Sequence, residues 1–295
     1  MAERLQKLLA RAGYGSRREI ERLIEQGQIT INGKPATPGD HASETDAIAI
    51  RGEPVALSRV SHFKARVIAY HKPVGEVCTR DDPEGRPTVF DHLPRMQSSR
   101  WVAVGRMDIN TVGLMLFTND GELANRLMHP SGEIEREYAV RVLGEVDDAM
   151  MKRLLAGVEL EDGPAAFETL ERAGGEGANT WFRVTLKEGR KREVRRLWES
   201  QGVTVSRLIR VRYGPIELQR ALKPGRWADL KPREMRQLYE AVGLKYVAPK
   251  PKPGVTGSRP PSTSRRSASR PAEARGPRSR DRSGGKSNPW GRGGK

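Results

Sequence analysis

The chain has 295 residues, of which 36% are apolar, 31% charged and 5% aromatic, and it carries a formal net charge of +16 and a single cysteine. Because one hydrophobic core usually serves ~100–200 residues, this length predicts about two domains. A lone thiol excludes a disulfide framework and an all-cysteine zinc site, and no apolar run approaches the ~20 residues that span a bilayer. The first residues lack a signal-peptide pattern, so we expect a cytoplasmic protein with no membrane partner.

The positive charge is concentrated at the C-terminal end. Residues 246–295 hold 13 basic and 2 acidic residues, which leaves a net charge of only +5 for residues 1–245. The same 50 residues contain 24 Pro, Gly and Ser and show no helical or strand periodicity. Such a segment cannot bury enough apolar surface to offset its chain entropy, so we predict a disordered basic tail. Its charge favours a polyanion as partner, and the alternative is a purely solubilising role.

Residues 1–60 have the pattern of a small module. Apolar residues recur at helical spacing within residues 3–12. Ser16-Arg17-Arg18-Glu19 has the form of a capping box and opens a second helix, which ends at Gly27. Residues 28–31, followed by Asn32-Gly33, predict a strand and a tight turn, and residues 47–51 predict another strand.

Two short helices with exposed arginines, followed by a hairpin, resemble the small RNA-binding domain of ribosomal protein S4. In that family the first two helices and the following turn form a basic surface that grips structured RNA by its phosphates. The resemblance implies RNA contacts from seven cations: Arg4, Lys7, Arg11, Arg17, Arg18, Arg22 and Lys34. An ordinary solvated face is the alternative, because the same segment also holds eight acidic residues.

Residues 61–65 are interpreted as a linker, and residues 66–245 are long enough for a core of their own. Apolar patterns predict strands at residues 66–70, 102–104, 114–118, 137–143, 167–172, 180–186 and 208–213. They predict helices at residues 122–128, 147–155, 192–200 and 232–242. The two types mix without regular alternation, which predicts an α+β fold with a mixed, largely antiparallel sheet and flanking helices. The glycine-rich stretch 174–177 predicts a hairpin turn between strands.

The sequence contains no pattern for a bound cofactor. The five histidines show no i, i+4 pair and no neighbouring cysteine cluster, so no metal is expected. No phosphate-binding P-loop, dinucleotide fingerprint or nucleophile elbow is present. Any catalysis is therefore expected to proceed without a metal or a cofactor.

Two segments of the central region stand out. The first, residues 105–114 (GRMDINTVGL), places an arginine and an aspartate in a loop between two apolar strands. A single pair of this kind is most often a surface ion pair or a turn stabiliser. The second, residues 188–197 (EGRKREVRRL), leads from a glycine turn into a very basic helix start. By itself the second segment indicates a helix that faces RNA.

Together these segments closely resemble the pseudouridine synthases, in the branch that carries the small N-terminal RNA-binding domain and modifies ribosomal RNA. Residues 137–140 (EYAV) and 189–197 match the family's other two motifs in order and spacing. The resemblance implies that a monomer converts uridine to pseudouridine in 23S ribosomal RNA without a cofactor. A paralogue that modifies 16S RNA or another 23S uridine, and a non-catalytic ribosome-assembly factor, are the alternatives.

The resemblance also implies roles for individual residues. Asp108 would be the essential carboxylate, which either attacks the ribose C1′ or removes a ribose proton. Either role needs a charged group that is shielded from water, so a buried cation is expected, and Arg195 occupies the family's position for holding the carboxylate in bidentate geometry. Tyr138 would stack on the extruded uracil, Leu197 would wall the pocket, and Arg106 would fill the gap left in the RNA stack.

Overall fold

The computed structural model describes residues 2–57, 64–96, 99–176 and 179–247, which pack together as one unit. Residues 61–63 of the predicted linker and residues 248–295 of the predicted tail lie outside the described residues. The ring of Tyr246, where we predicted the tail to begin, packs on Tyr239 with the ring centroids 5.3 Å apart. The folded part of the chain therefore extends past that boundary.

The N-terminal module contains two helices and two small sheets. Its elements are β1 (Glu3–Arg4), α1 (Leu5–Arg11), α2 (Arg17–Glu25), β2 (Ile29–Ile31), β3 (Lys34–Pro35), β4 (His41–Ala42), β5 (Ile48–Ile50) and β6 (Glu53–Pro54). The first helix is shorter than the predicted 3–12, because β1 is extended and pairs with β4. The predicted capping box is present, with the Glu19 amide donating to Ser16 Oγ at 3.0 Å and the Ser16 amide donating to Glu19 Oε2 at 3.2 Å. A box of this kind stabilises a helix start by about 1 kcal/mol.

The predicted hairpin and the third strand form a four-stranded sheet in the order β3-β2-β5-β6. Asn32 and Gly33 both have positive φ, at 51° and 80°, as a two-residue hairpin of the type I′ class requires. The helices pack on this sheet around an apolar cluster that includes Leu5, Leu9 and Ile20, each with 0% exposure. The module thus has a core separate from that of the central region.

The central region is built on a nine-stranded sheet. Its elements, in chain order, are β7 (Val67–Lys72), β8 (Val102–Ala103), β9 (Val112–Thr118), α3 (Gly121–Met128), β10 (Arg136–Leu143), α4 (Asp148–Ala156), β11 (Val158–Leu160), β12 (Gly163–Ala165), β13 (Thr169–Glu176), β14 (Asn179–Leu186), α5 (Glu193–Glu199), β15 (Thr204–Tyr213), β16 (Ile216–Glu217), β17 (Trp227–Asp229) and α6 (Pro232–Glu240). The strand order is β13-β14-β10-β15-β9-β7-β17, with β16 on β15 and β8 on β9. Only β15 and β9 pair in parallel among the described strands of this sheet, so the predicted mixed, largely antiparallel sheet is confirmed.

The predicted strands and helices of this region are all present, with ends that differ by up to four residues. The sequence missed the short hairpin β11–β12 and the edge strand β17, because three-residue strands carry almost no periodicity. The predicted hairpin is present, because β13 and β14 pair antiparallel, but residues 174–176 lie within β13 and not in its turn, and residue 177 lies outside the described residues. A Cβ at Gly175 would come within 2.4 Å of the Asn179 carbonyl oxygen, so glycine is required there for close strand approach.

Three apolar clusters pack against the sheet. One lies between β10, β14, β15 and the helices α4 and α5, with Trp198 at its centre. The other two enclose β7 and β9 from opposite faces, so that all seven residues of β9 are buried. Tyr138, Arg210 and Gly113 are paired in register across β10, β15 and β9, at the point where these clusters meet. The loop that leads into β9 ends at this point.

Candidate active site

The Asp108 loop, residues 105–111, connects β8 to β9. It starts at Gly105, which has φ of +82°, and it tightens where the Thr111 amide donates to the Asp108 carbonyl oxygen at 3.0 Å. Asp108 is half-buried, between the exposed Arg106 and the exposed Asn110. Directly after the loop, a Cβ at Gly113 would lie 2.3 Å from the Arg210 carbonyl oxygen, so only glycine lets β9 approach β15 closely. The glycine of the GRMDINTVGL segment therefore serves the sheet that carries the loop.

Three buried cations hold backbone carbonyl oxygens in or beside this loop: two of them bind the loop itself, and the third binds β9 directly after it. They are Lys72 at 0% exposure, Arg195 at 6% and Arg210 at 3%. Lys72 Nζ donates to the carbonyl oxygens of Pro73 at 2.9 Å, Ile109 at 3.3 Å and Thr111 at 2.9 Å. The two guanidinium groups donate to Asn110 at 3.3 Å, Val205 at 2.9 Å and Leu114 at 2.7 Å. A buried cation needs such acceptors, so the loop and the cations stabilise each other.

Asp108 is close enough to two of these cations to alter their titration. Burial lowers the pKa of Lys72, and the charge of Asp108 opposes that shift together with Cys78 and Glu76. Burial likewise lowers the pKa of Arg195, and Asp108 again favours its charged form. Asp108 thus lies near two buried positive charges.

Arg195 differs in geometry from the sequence-based expectation. We expected a bidentate ion pair with Asp108, whereas its guanidinium donates to the backbone at Asn110 and Val205. The reason is local, because α5 ends beside β15 and the carbonyl of Val205 lies within reach of the buried side chain. The Arg195 Nε atom is buried without a hydrogen-bond partner among the described residues. Arg195 nevertheless contacts the Asp108 loop, because it donates to the carbonyl oxygen of Asn110, two positions after Asp108.

Tyr138 and Leu197 belong to the same packed layer. Tyr138 lies on β10 beside a β-bulge, is half-buried, and packs against the cluster that contains Leu197. Leu197 has 0% exposure. Leu197 is thus part of the cluster that supports Tyr138, and its role as a wall of the pocket stays a prediction.

Arg106 is exposed, and no hydrogen bond or ion pair joins its side chain to the described residues. It follows a glycine and precedes the buried Met107, so the loop directs it away from the core. Its guanidinium is thus available to an external anion or base.

The basic segment 188–197 is mostly committed to contacts within the protein. Arg196 holds Asp162 with two hydrogen bonds, at 2.7 and 2.8 Å, and Arg190 contacts Asp162 at 3.2 Å and Glu193 at 3.1 Å. The hydrogen bond from Arg196 lowers the pKa of Asp162. These contacts fasten the β11–β12 hairpin to α5 and pair the charges of Arg190 and Arg196 within the protein, while the orientation of this helix towards RNA stays a prediction.

The module presents its cations unevenly. Lys7 and Arg11 pair with Glu3, at 3.4 and 2.5 Å, and Arg11 also pairs with Glu44 at 3.3 Å. The other five predicted RNA contacts are exposed: Arg4, Arg17, Arg18, Arg22 and Lys34. Arg17 also lies beside the central region, because its Nη2 would be 4.0 Å from a Cβ at Gly121.

Two residues of the site were not singled out in the sequence. Lys72 ends a buried strand and is followed by a Pro-x-Gly turn, and a charged residue in that place is the signal that could have found it. Cys78 Sγ donates to the Met107 carbonyl oxygen at 3.2 Å and accepts from the Met107 amide at 3.3 Å. Both residues fix the backbone on either side of Asp108.

Within the described ranges no three His, Cys, Asp or Glu side chains are grouped as a metal site would need. No helix in the described part of the chain combines the length and apolarity required to cross a membrane. The chemistry visible at this site is therefore that of a carboxylate, nearby cations and a tyrosine.

Comparisons with known proteins agree with this arrangement. Residues 66–200 match the RNA pseudouridylate synthase family, and residues 3–48 match the S4 domain. Ribosomal large subunit pseudouridine synthase B of Escherichia coli (strain K12) is 59% identical over 246 residues, which cover 83% of this chain and 84% of that protein. The synthase of the same name from Pasteurella multocida is 60% identical over 244 residues, covering 82% of this chain and 71% of that protein.

A solved structure, described as a pseudouridylate synthase, superposes with a TM-score of 0.57 at 26% identity and covers 80% of this chain and 99% of that one. With this fold and these relatives, the chain belongs to the RNA pseudouridine synthase family, as a member with an N-terminal S4 domain. It is an enzyme that isomerises uridine in ribosomal RNA, and its relatives above carry the name pseudouridine synthase B.

Proposed function

We propose that this enzyme, a cytoplasmic monomer, isomerises one specific uridine of 23S ribosomal RNA during maturation of the large subunit. The relatives that match most of the chain are named as large-subunit enzymes, which supports 23S over 16S RNA as the substrate. The reaction breaks the bond between N1 and C1′, turns the base, and forms a bond between C5 and C1′. The proton on C5 is lost to solvent and N1 gains one, so the reaction needs no net oxidant, reductant or group donor.

Asp108 is the proposed catalytic residue. The observation that carries this assignment is the position of the half-buried Asp108 in a loop whose carbonyl oxygens are held by the buried cations Lys72 and Arg195, while Arg210 holds β9 directly after it. The hydrogen bonds to the loop backbone orient the carboxylate, whether it attacks C1′ or removes a ribose proton. Arg195 acts as the positioning cation.

The target base must leave the RNA stack to reach this site, at a cost of a few kcal/mol. In the proposal, Tyr138 stacks on the extruded uracil, supported from below by Leu197, and the exposed Arg106 occupies the space left in the stack. The module supplies affinity and orientation through the phosphate contacts of its five exposed cations. Phosphate contacts position the enzyme, while the pocket performs the chemistry.

The test is to map pseudouridines in ribosomal RNA from cells that lack this protein. We expect one or a few 23S positions to lose the modification and to regain it when the wild-type gene is restored. A loss confined to 16S RNA would show that the substrate assignment is wrong. Unchanged pseudouridine, together with a defect in subunit assembly, would favour the non-catalytic assembly factor.

A further inference from the structure

Two exposed apolar residues, Val74 and Ile109, lie on backbone segments that are hydrogen-bonded to each other at the edge of the Asp108 loop. Val74 is 62% exposed and Ile109 is 40% exposed, and neither belongs to any of the four apolar clusters of the described residues. The Gly75 amide donates to the Ile109 carbonyl oxygen at 2.9 Å, which brings the residue after Val74 against the residue after Asp108. We name this pair the apolar lip.

The apolar lip is held in place by buried contacts. Lys72 Nζ donates to the carbonyl oxygen of Pro73, the residue before Val74. It also donates to the carbonyl oxygen of Ile109, which is itself part of the lip. The backbone beneath both side chains is therefore clamped, although the side chains face outwards. The same clamp that supports the Asp108 loop thus keeps two exposed apolar side chains in a fixed place beside it, where they are available to a bound ligand.

The ligand is identified by the neighbours of the lip. Ile109 is adjacent in sequence to the carboxylate that we assign to catalysis, and the exposed Arg106 lies three residues earlier. RNA that delivers a uridine to Asp108 must therefore pass this edge. When a base is extruded, its neighbours lose a stacking partner, and apolar side chains can replace that contact.

We infer that Val74 and Ile109 contact the nucleotides that flank the target uridine and stabilise the extruded state. This inference rests on the proposed function and deepens it. Val74 and Ile109 are positioning residues, because they act on neighbouring bases and not on the reacting bonds. They should raise the rate of the chemical step at saturating enzyme and contribute little to overall RNA affinity, which phosphate contacts dominate.

The experiment uses the full chain and an unmodified 23S transcript that carries tritium on C5 of its uridines. Release of tritium reports the loss of the C5 proton, whichever uridine of the transcript is the target. The main variant is Val74→Thr with Ile109→Thr, which keeps β-branching at both positions, makes the lip polar and also removes the Cδ1 methyl of Ile109. We expect its single-turnover rate to fall about tenfold, because about one buried methyl contact per residue is lost.

Two matched variants separate this role from others. Val74→Leu with Ile109→Leu keeps an apolar lip and should react within about twofold of wild type, because apolar swaps of similar volume are tolerated. Leu155→Thr on α4 changes another exposed apolar residue, at 41% exposure, and should have no effect. The threonine variant of the lip should keep the wild-type melting temperature and bind the transcript within about threefold of wild-type affinity, since its phosphate contacts are intact.

An unchanged rate in the threonine variant of the lip would overturn the inference. So would an equal loss in the leucine variant, or a defect that disappears at saturating enzyme and thus reflects affinity alone. If the wild-type enzyme binds the transcript but releases no tritium, the proposed function itself fails, and the apolar lip has no role in it.

Discussion

Arginine-rich helix starts occur at residues 17–22 and again at residues 188–197, and the two differ in what their charges contact. In the module, Arg18 and Arg22 are exposed, and their side chains form no hydrogen bond or ion pair with the described residues. In the second segment, Arg190 and Arg196 are paired with Asp162, and Arg195 is buried. A cluster of arginines in the sequence is therefore available to RNA only where no carboxylate from a distant part of the chain forms ion pairs with it.

The largest effect should come from Arg195, the buried member of the second segment. Arg195→Ala should lower the single-turnover rate by about 10²–10³-fold, because the loop beside Asp108 loses a donor and a nearby positive charge. RNA affinity should change little, since the side chain is only 6% exposed. Tritium release and transcript binding measure the two quantities. A variant that keeps its rate but loses affinity would place Arg195 with the RNA-contacting residues.

For the N-terminal module we expect the opposite of the Arg195 result, namely a loss of RNA affinity. Deleting residues 1–60 removes the five exposed cations, so the slope of log affinity against log salt should become shallower by about 3. Affinity for the 23S transcript at physiological salt should fall at least about tenfold for the same reason. Fluorescence anisotropy at several salt concentrations measures both. An unchanged slope would show that the module does not dock the RNA.

A matched pair of double variants sharpens the comparison. Arg18→Gln with Arg22→Gln should make the salt slope shallower by about 1–2 and leave the melting temperature unchanged. Arg190→Gln with Arg196→Gln should leave the slope unchanged but lower the melting temperature by a few degrees, because the β11–β12 hairpin is released and the buried Glu193 loses a partner. The interpretation is wrong if both pairs shift the same quantity.

The smallest effect concerns pH. The hydrogen bond from Arg196 lowers the pKa of Asp162, so the folded state favours the ionised carboxylate. This stabilisation is complete above the unfolded pKa of about 3.9 and is lost as the pH falls through the lower folded pKa. The free energy of unfolding that Arg196→Gln removes should therefore be constant from pH 7 to about pH 4 and shrink below it. Urea titrations across that range test this, and a difference that shrinks between pH 7 and pH 5 would contradict it.

The sequence predicted the sheet, the helices and the position of the Asp108 loop, because long apolar segments and capping residues are local signals. It could not predict that Lys72 is buried, since its three acceptors include carbonyls 37 and 39 residues further along the chain. It could not show that Asp162 neutralises Arg196, for the same reason. Nor could it predict that Arg195 donates to a backbone carbonyl, because that hydrogen bond depends on where β15 places Val205. Local pattern thus predicted the elements, whereas charge pairing depended on tertiary contacts.

Substituting Asp108 by asparagine keeps the size of the side chain and removes only its charge. We predict that Asp108→Asn releases no tritium above background from the labelled 23S transcript, while it binds that transcript with affinity within about twofold of wild type. Tritium release at an appreciable fraction of the wild-type rate would contradict the assignment of the reaction to this carboxylate.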